Sequence, residues 1–220
     1  MPPLRDALPV LPGRPIAFPA GASRFEALLV FAAPGGRGDR LASALDEAGL
    51  LDPAELASTP LAAVVDALRD ARVNADPKAV RLLQRLAGWY ASHREDLEFE
   101  PAPGEDRPPF PEAELAAING VGRATADGIA LHVFGQASYP VDRATYRILV
   151  RHGWIDVTAD YDEAAQALIA AADSDPAELA RLSSSFADIG RRFCKPDGPR
   201  CEPCPLRAVL PEGGPISVDG

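Results

Sequence analysis

The chain has 220 residues, 47% of them hydrophobic and 6% aromatic, enough for one domain or two small ones with a sizeable core. No apolar run approaches the roughly 18 residues of a membrane span, and Pro2, Pro3, Pro9, Pro12, Pro15 and Pro19 exclude a continuous signal-peptide helix, so the expected site is the cytoplasm. A net charge of −10 argues against a protein that coats nucleic acid through bulk electrostatics.

Taken in chain order, the apolar spacing is helical almost throughout. It runs through Phe25/Leu28/Leu29/Ala32, Leu61/Val64/Val65/Leu68 and Ala79/Leu82/Leu83/Leu86. The same i, i+3, i+4, i+7 pattern returns in Ala126/Ile129/Ala130/Val133 and Ala164/Ala167/Leu168/Ala171, and Leu179, Leu182, Phe186 and Ile189 continue a similar stripe. Asp52-Pro53, Thr59-Pro60, Asp76-Pro77 and Asp175-Pro176 each read as a capping residue followed by proline at the first helical position. Breaks are expected over 1–24, at Pro34–Gly38, over the proline-rich 99–111 and near Ser138–Pro140. No strand alternation is sustained, so the predicted fold is all-α.

Between two of these helices lies Leu115-x-x-Ile118-Asn119-Gly120-Val121-Gly122-Arg123-Ala124-Thr125, a short helix, a tight turn and a second helix. Glycines at 120 and 122 allow unusual φ and close approach, while Val121 can anchor the turn in the core. The bare amides can grip a backbone phosphate, although an ordinary αα-corner has the same look. Eighteen residues after Ala124 stands Asp142, preceded by Pro140-Val141. It is a good N-cap for the helix through Val150, and a carboxylate oriented in that way can also serve chemistry on a sugar.

Arg143, Arg147 and Arg151 are four apart and are expected to share one face of that helix, forming a local basic patch on an acidic body. Cys194, Cys201 and Cys204 then follow with C-x6-C-x2-C spacing. Three cysteines are an odd number and too local for a disulfide framework, so they read as metal ligands. Arg191, Arg192, Lys195, Arg200 and Arg207 surround them.

The stretch from Ile118 to Arg151 resembles the helix-hairpin-helix (HhH-GPD) DNA glycosylases typified by endonuclease III, in the Gly-Val-Gly hairpin, the Val-Asp pair and the offset between them. Ala187 to Cys194 and Pro199 to Pro205 look like that family's iron–sulfur segment. Arg24 to Leu29 and Asn74 to Leu82 look like its earlier helices. The resemblance implies a six-helix barrel over 25–138, and a helical domain joining 1–24 to 139–220, with a cleft between them that takes a flipped base. It implies DNA contacts at Asn119, Gly120, Val121, Gly122, Arg123, Thr125 and Arg143, and a catalytic role for Asp142. The implied partner is double-stranded DNA with a damaged base or abasic site, bound by a nucleoid-associated monomer.

Several residues depart from the family pattern. Bifunctional members carry a lysine where this chain has Ala124, and that amine forms a Schiff base with the sugar. Asp142-Arg143-Ala144 replaces a common Asp-Thr-His pattern. Gly36 stands where relatives insert a glutamine into the duplex, leaving Arg37 the nearest candidate wedge. The expected function is therefore a glycosylase that releases a damaged base without lyase activity, in the manner of the endonuclease III-related subgroup that includes 3-methyladenine glycosylases. The alternative is a catalytically degenerate relative that binds bent or damaged DNA. Relatives with a [4Fe-4S] cluster have C-x6-C-x2-C-x5-C, which puts Leu210 at the fourth position. The expectation is a cluster held by three cysteines, its fourth ligand absent or drawn from water, backbone, Glu212 or Asp219. A decayed site with three ordinary thiols is the other possibility.

Overall fold

The computed structural model describes residues 3–33, 38–73 and 76–217. Eleven α-helices follow one another among these residues, and the all-α expectation holds. The chain divides into two compact units, Ala17–Phe134, and Met1–Ile16 with Gly135–Gly220.

The Ala17–Phe134 unit contains α1 (Arg24–Ala32), α2 (Gly38–Glu47), α3 (Pro53–Ser58), α4 (Leu61–Asp70), α5 (Pro77–Ser92), α6 (Arg94–Glu98), α7 (Glu112–Ala117) and α8 (Arg123–His132). Their starts follow from local chemistry. Ser23 and Glu26 form a reciprocal capping box on α1. Asp52 and Asp76 cap α3 and α5, each with proline at the next position. Thr59-Pro60 departs from that expectation. Thr59 closes α3, its hydroxyl donating to the Glu55 carbonyl at 2.8 Å, and Pro60 occupies the N-cap of α4 without a side-chain cap. The hydroxyl turns back to a carbonyl in the last turn of one helix, which also accepts the Thr59 N–H, rather than serving the start of the next. Leu28, Leu29, Leu45, Leu56, Leu86 and Tyr90 form one core, and Leu115, Val121, Ala126 and Ile129 carry the α7–α8 hairpin into it.

The other unit is built on α9 (Arg143–Arg151), α10 (Tyr161–Ala171) and α11 (Pro176–Arg192). Asp160 with Glu163, and Asp175 with Pro176, start α10 and α11. Helices α9 and α11 cross closely: a Cβ on Gly190 would stand 2.4 Å from the Ala144 Cβ, so glycine sets that approach. The N-terminal 3-10 helix Leu4–Val10 and the segment after it lie against α11. Arg181 donates to the Leu11 carbonyl at 2.5 Å and to the Leu8 carbonyl at 2.8 Å, and Gly13 N–H donates to Ser185 Oγ at 2.9 Å. After α11, Pro196, Gly198 and Pro199 forbid more helix, and β1 (Cys194–Lys195) pairs antiparallel with β2 (Gly198–Pro199). A second 3-10 helix, Pro205–Val209, ends the cysteine segment. Among the described residues no helix is long and apolar enough to cross a membrane.

Candidate functional site

In the hairpin, Val121 is buried while Asn119, Gly120, Gly122 and Arg123 are exposed; Ala124 and Thr125 are half-buried. Gly120 has φ +99°, and a side chain there would press on Leu82 at 3.3 Å, so this position needs glycine on two counts. Gly122 is different. Its φ of −81° suits any residue and a Cβ on it would meet nothing within 4 Å. Its bareness serves neither the backbone nor the packing. It is the N-cap of α8 with no side-chain cap, and the N–H groups of Gly122 and Ala124 have no partner among the described residues. Two unpaired donors at the positive end of a helix are able to receive an anion. From behind, Arg85 steadies the turn by donating to the Asn119 carbonyl at 2.8 Å.

The same hairpin holds a carboxyl pair that sequence reasoning did not foresee. Asp127, buried on α8, hydrogen-bonds Glu112 at the start of α7. That bond, with burial and the repulsion of Asp127, pushes Glu112 up to about 7, while Arg123 pulls it down. The pair is thus a proton-sharing bridge between the two helices of the hairpin. A glutamate in the unfolded chain titrates near 4.5, so the bridge contributes its full stability below that pH and loses it as the pH rises through about 7. The melting temperature should therefore fall between pH 5 and pH 8 more steeply in the native protein than in Glu112→Gln. Parallel slopes in a thermal-melt series would refute the shared proton.

Asp142 is exposed at the N-cap of α9, and its Oδ1 accepts from Thr145 N–H at 2.6 Å. Its Oδ2 takes no hydrogen bond among the described residues. One oxygen is thus fixed by the helix and the other faces outward. The approach to it is also fixed: Val141 is buried, its N–H donates to Tyr161 Oη at 3.2 Å, and Tyr161 is held at the Tyr139 carbonyl at 3.5 Å. Tyr161 is a positioning residue that no motif announced.

The expected arginine face does not form a surface patch. Arg143 is exposed, but Arg147 Nε donates to the Cys194 carbonyl at 2.8 Å. Arg151 is buried, donating to the Lys195 carbonyl at 2.7 Å, the Pro196 carbonyl at 3.1 Å and Cys194 Sγ at 3.4 Å. The tight turn of the cysteine segment leaves carbonyls without helical partners, and the guanidinium forks of α9 satisfy them. Around the cysteines, Arg191 and Arg192 pair with Asp188, and Arg207 with Glu202.

Cys194, Cys201 and Cys204 line one small cavity, partly open to solvent, with Arg151, His152, Phe193 and Leu210 in its walls. Burial, followed by the neighbouring Cys194, pushes the Cys201 thiol up; burial does the same for Cys204. Among the described residues no three His, Cys, Asp or Glu side chains converge closely enough for a single ion. In a polynuclear cluster each thiolate binds its own iron, so the sulfurs stand farther apart than around one tetrahedral zinc. Soft sulfur donors around a shared space fit such a cluster. Glu212 is exposed and does not line the cavity; Asp219, Gly36 and Arg37 lie outside the described residues, as does the Asn74 end of the upstream match.

The architecture is that of the endonuclease III type of helical protein. The structure of a trapped endonuclease III–DNA covalent intermediate, in its estranged-adenine complex, superposes with a TM-score of 0.61 at 20% identity, covering 95% of this chain and 93% of that one. In sequence the chain is 34% identical over 97 residues to endonuclease III of Thermotoga maritima, covering 43% of each chain. It is 33% identical over 94 residues to the adenine DNA glycosylase of Homo sapiens, covering 42% of this chain and 17% of that one. It therefore spans less than half the length of the curated relatives it matches. No family model matches. Over these stretches the chain is similar in sequence to DNA repair glycosylases of the endonuclease III type, and its fold is the one that endonuclease III has.

Proposed function

We propose that the protein is a base-excision glycosylase that hydrolyses the bond between a damaged base and its deoxyribose in double-stranded DNA, leaving the strand intact. The observation that carries this reading is the outward, half-engaged carboxylate of Asp142, on a helix start anchored by Val141 and Tyr161. Such a carboxylate can stabilise the positive charge that develops on the sugar and accept a proton from the attacking water, whose oxygen bonds to C1′ as the C1′–N bond breaks. The departing base takes the bond's electrons. An alkylated purine already carries positive charge and leaves readily, so one carboxylate without an amine nucleophile suffices. Ala124, a methyl group where bifunctional relatives have a lysine, supports release without nicking.

In the same reading, the amides at Gly120–Gly122 hold a backbone phosphate, with Asn119, Arg123 and Thr125 beside it, and exposed Arg143 is a separate DNA contact on the other unit. Gly122→Ala tests this cradle. Because its Cβ meets open space, the melting temperature should fall only by the modest preference of an N-cap for glycine over alanine, while affinity for a duplex bearing an abasic-site analogue should drop about tenfold, the loss of roughly one charge-assisted hydrogen bond. Unchanged affinity in a binding titration would remove the cradle from the interface. A [4Fe-4S] cluster on Cys194, Cys201 and Cys204 would brace the loop that carries Arg200.

The test of function is a panel of duplexes containing alkylated purines, oxidised pyrimidines or mismatches, read with and without alkali. Strand breaks that appear only after alkali, and vanish in Asp142→Asn, are the expected result. The departures at Ala124 and Arg143-Ala144 favour a second reading, a relative that binds damaged DNA without turnover. Tight binding to the abasic-site analogue with no product from any duplex would establish it instead.

A further inference from the structure

We infer that His152 is the fourth ligand of the cluster site, in place of the cysteine that Leu210 replaces. The inference rests on the reading of Cys194, Cys201 and Cys204 as cluster ligands. His152 closes α9, is only 5% exposed, and lines the same cavity as the three thiols. It precedes the cysteines by 42 positions, and no local ligand spacing connects it to them. In the fold, it is the imidazole among the walls of that cavity.

Its environment is that of a metal-binding histidine. Nδ1 faces the Val209 carbonyl at 3.3 Å, and a proton on Nδ1 donated there leaves the lone pair on Nε2. The ring stacks on Trp154 with centroids 4.4 Å apart, which fixes its plane. Val209 immediately precedes Leu210, so the carbonyl that orients the imidazole comes from the segment that carries the ligating cysteine in the four-cysteine pattern. The chain thus pairs the loss of a thiol at 210 with an imidazole locked onto the neighbouring residue.

A second observation points to a negatively charged occupant. Arg151 is buried with its guanidinium on a sulfur and two carbonyls, and among the described residues it has no carboxylate partner. A buried cation without a counter-charge is costly. An anionic thiolate-bound cluster supplies the missing charge, and the Arg151 Nη1–H aimed at Cys194 Sγ is the kind of hydrogen bond that tunes such a centre.

The test uses the full chain purified without oxygen, with iron and sulfide analysis, and pulsed electron paramagnetic resonance of the reduced protein with and without ¹⁵N-labelled histidine. The expected result is a strong directly bonded nitrogen coupling that changes with the label. His152→Ala should lower the iron content from about four to about three per chain and give the signal of a three-iron cluster. Adding Leu210→Cys to His152→Ala should restore four irons, without nitrogen coupling and with a lower reduction potential. A brown four-iron protein with no strong imidazole coupling, or one unchanged in His152→Ala, overturns His152 as ligand and leaves the cluster in place. A colourless iron-free protein, or one equivalent of zinc alone, overturns the cluster reading itself.

Discussion

Asp142→Asn should lower the single-turnover rate of base release by at least about a hundredfold, the low end of what a positioned acid–base group contributes. The expectation is sharp because the substitution preserves everything else that Asp142 does. Asparagine caps helices as well as aspartate, so its side-chain oxygen can still accept from Thr145 N–H and α9 should start where it does now. Val141 remains buried and its N–H remains on Tyr161. What is lost is the negative charge on an outward oxygen. The melting temperature and the affinity for an abasic-site analogue should therefore stay close to native while product formation collapses. A variant that still releases base at the native rate would reduce Asp142 to a helix cap. One that also unfolds would show the cap, and Tyr161→Phe then becomes the cleaner probe, because it loosens the same segment without touching the carboxylate.

Helices α5 and α11 were legible in the sequence because each is written twice, once in apolar periodicity and once in its cap. Asp52, Asp76 and Asp175 start their helices as the residue pattern implies. Thr59 shows where that logic fails: a hydroxyl can serve the helix behind it as readily as the one ahead, and spacing alone does not say which. The two glycines of the hairpin were legible as a pair but not in their separate reasons. Only coordinates distinguish Gly120, which needs its positive φ, from Gly122, which needs nothing of the kind.

The arginines were the hardest to read. A face of Arg143, Arg147 and Arg151 looks the same in sequence whether it meets solvent or a loop, and here two of the three are consumed by the carbonyls of the cysteine turn. The partners that make His152, Tyr161 and the Glu112–Asp127 pair informative are likewise supplied by the fold. Val209 is 57 positions from His152 in sequence, and no periodicity connects them. Local chemistry is written in neighbouring residues; side-chain to backbone bonds across long separations are not.

On the proposed glycosylase reading, Ala124→Lys should add strand cleavage to base release. Ala124 is the second residue of α8, half-buried beside the uncapped Gly122. A lysine amine there sits at the positive end of the helix, which disfavours its protonation and raises the fraction able to act as a nucleophile. The nitrogen lone pair attacks C1′ and displaces the base, the sugar ring opens to an imine, and elimination then breaks the bond to the 3′ phosphate. Borohydride, by delivering hydride to that imine, should trap a covalent protein–DNA adduct absent from the native chain, and strand breaks should appear without alkali. Ala124→Arg supplies the charge without a usable nucleophile and should give neither. If Ala124→Lys forms no adduct while base release persists, the first turn of α8 does not face the sugar, and the methyl group at 124 is not what withholds the lyase step.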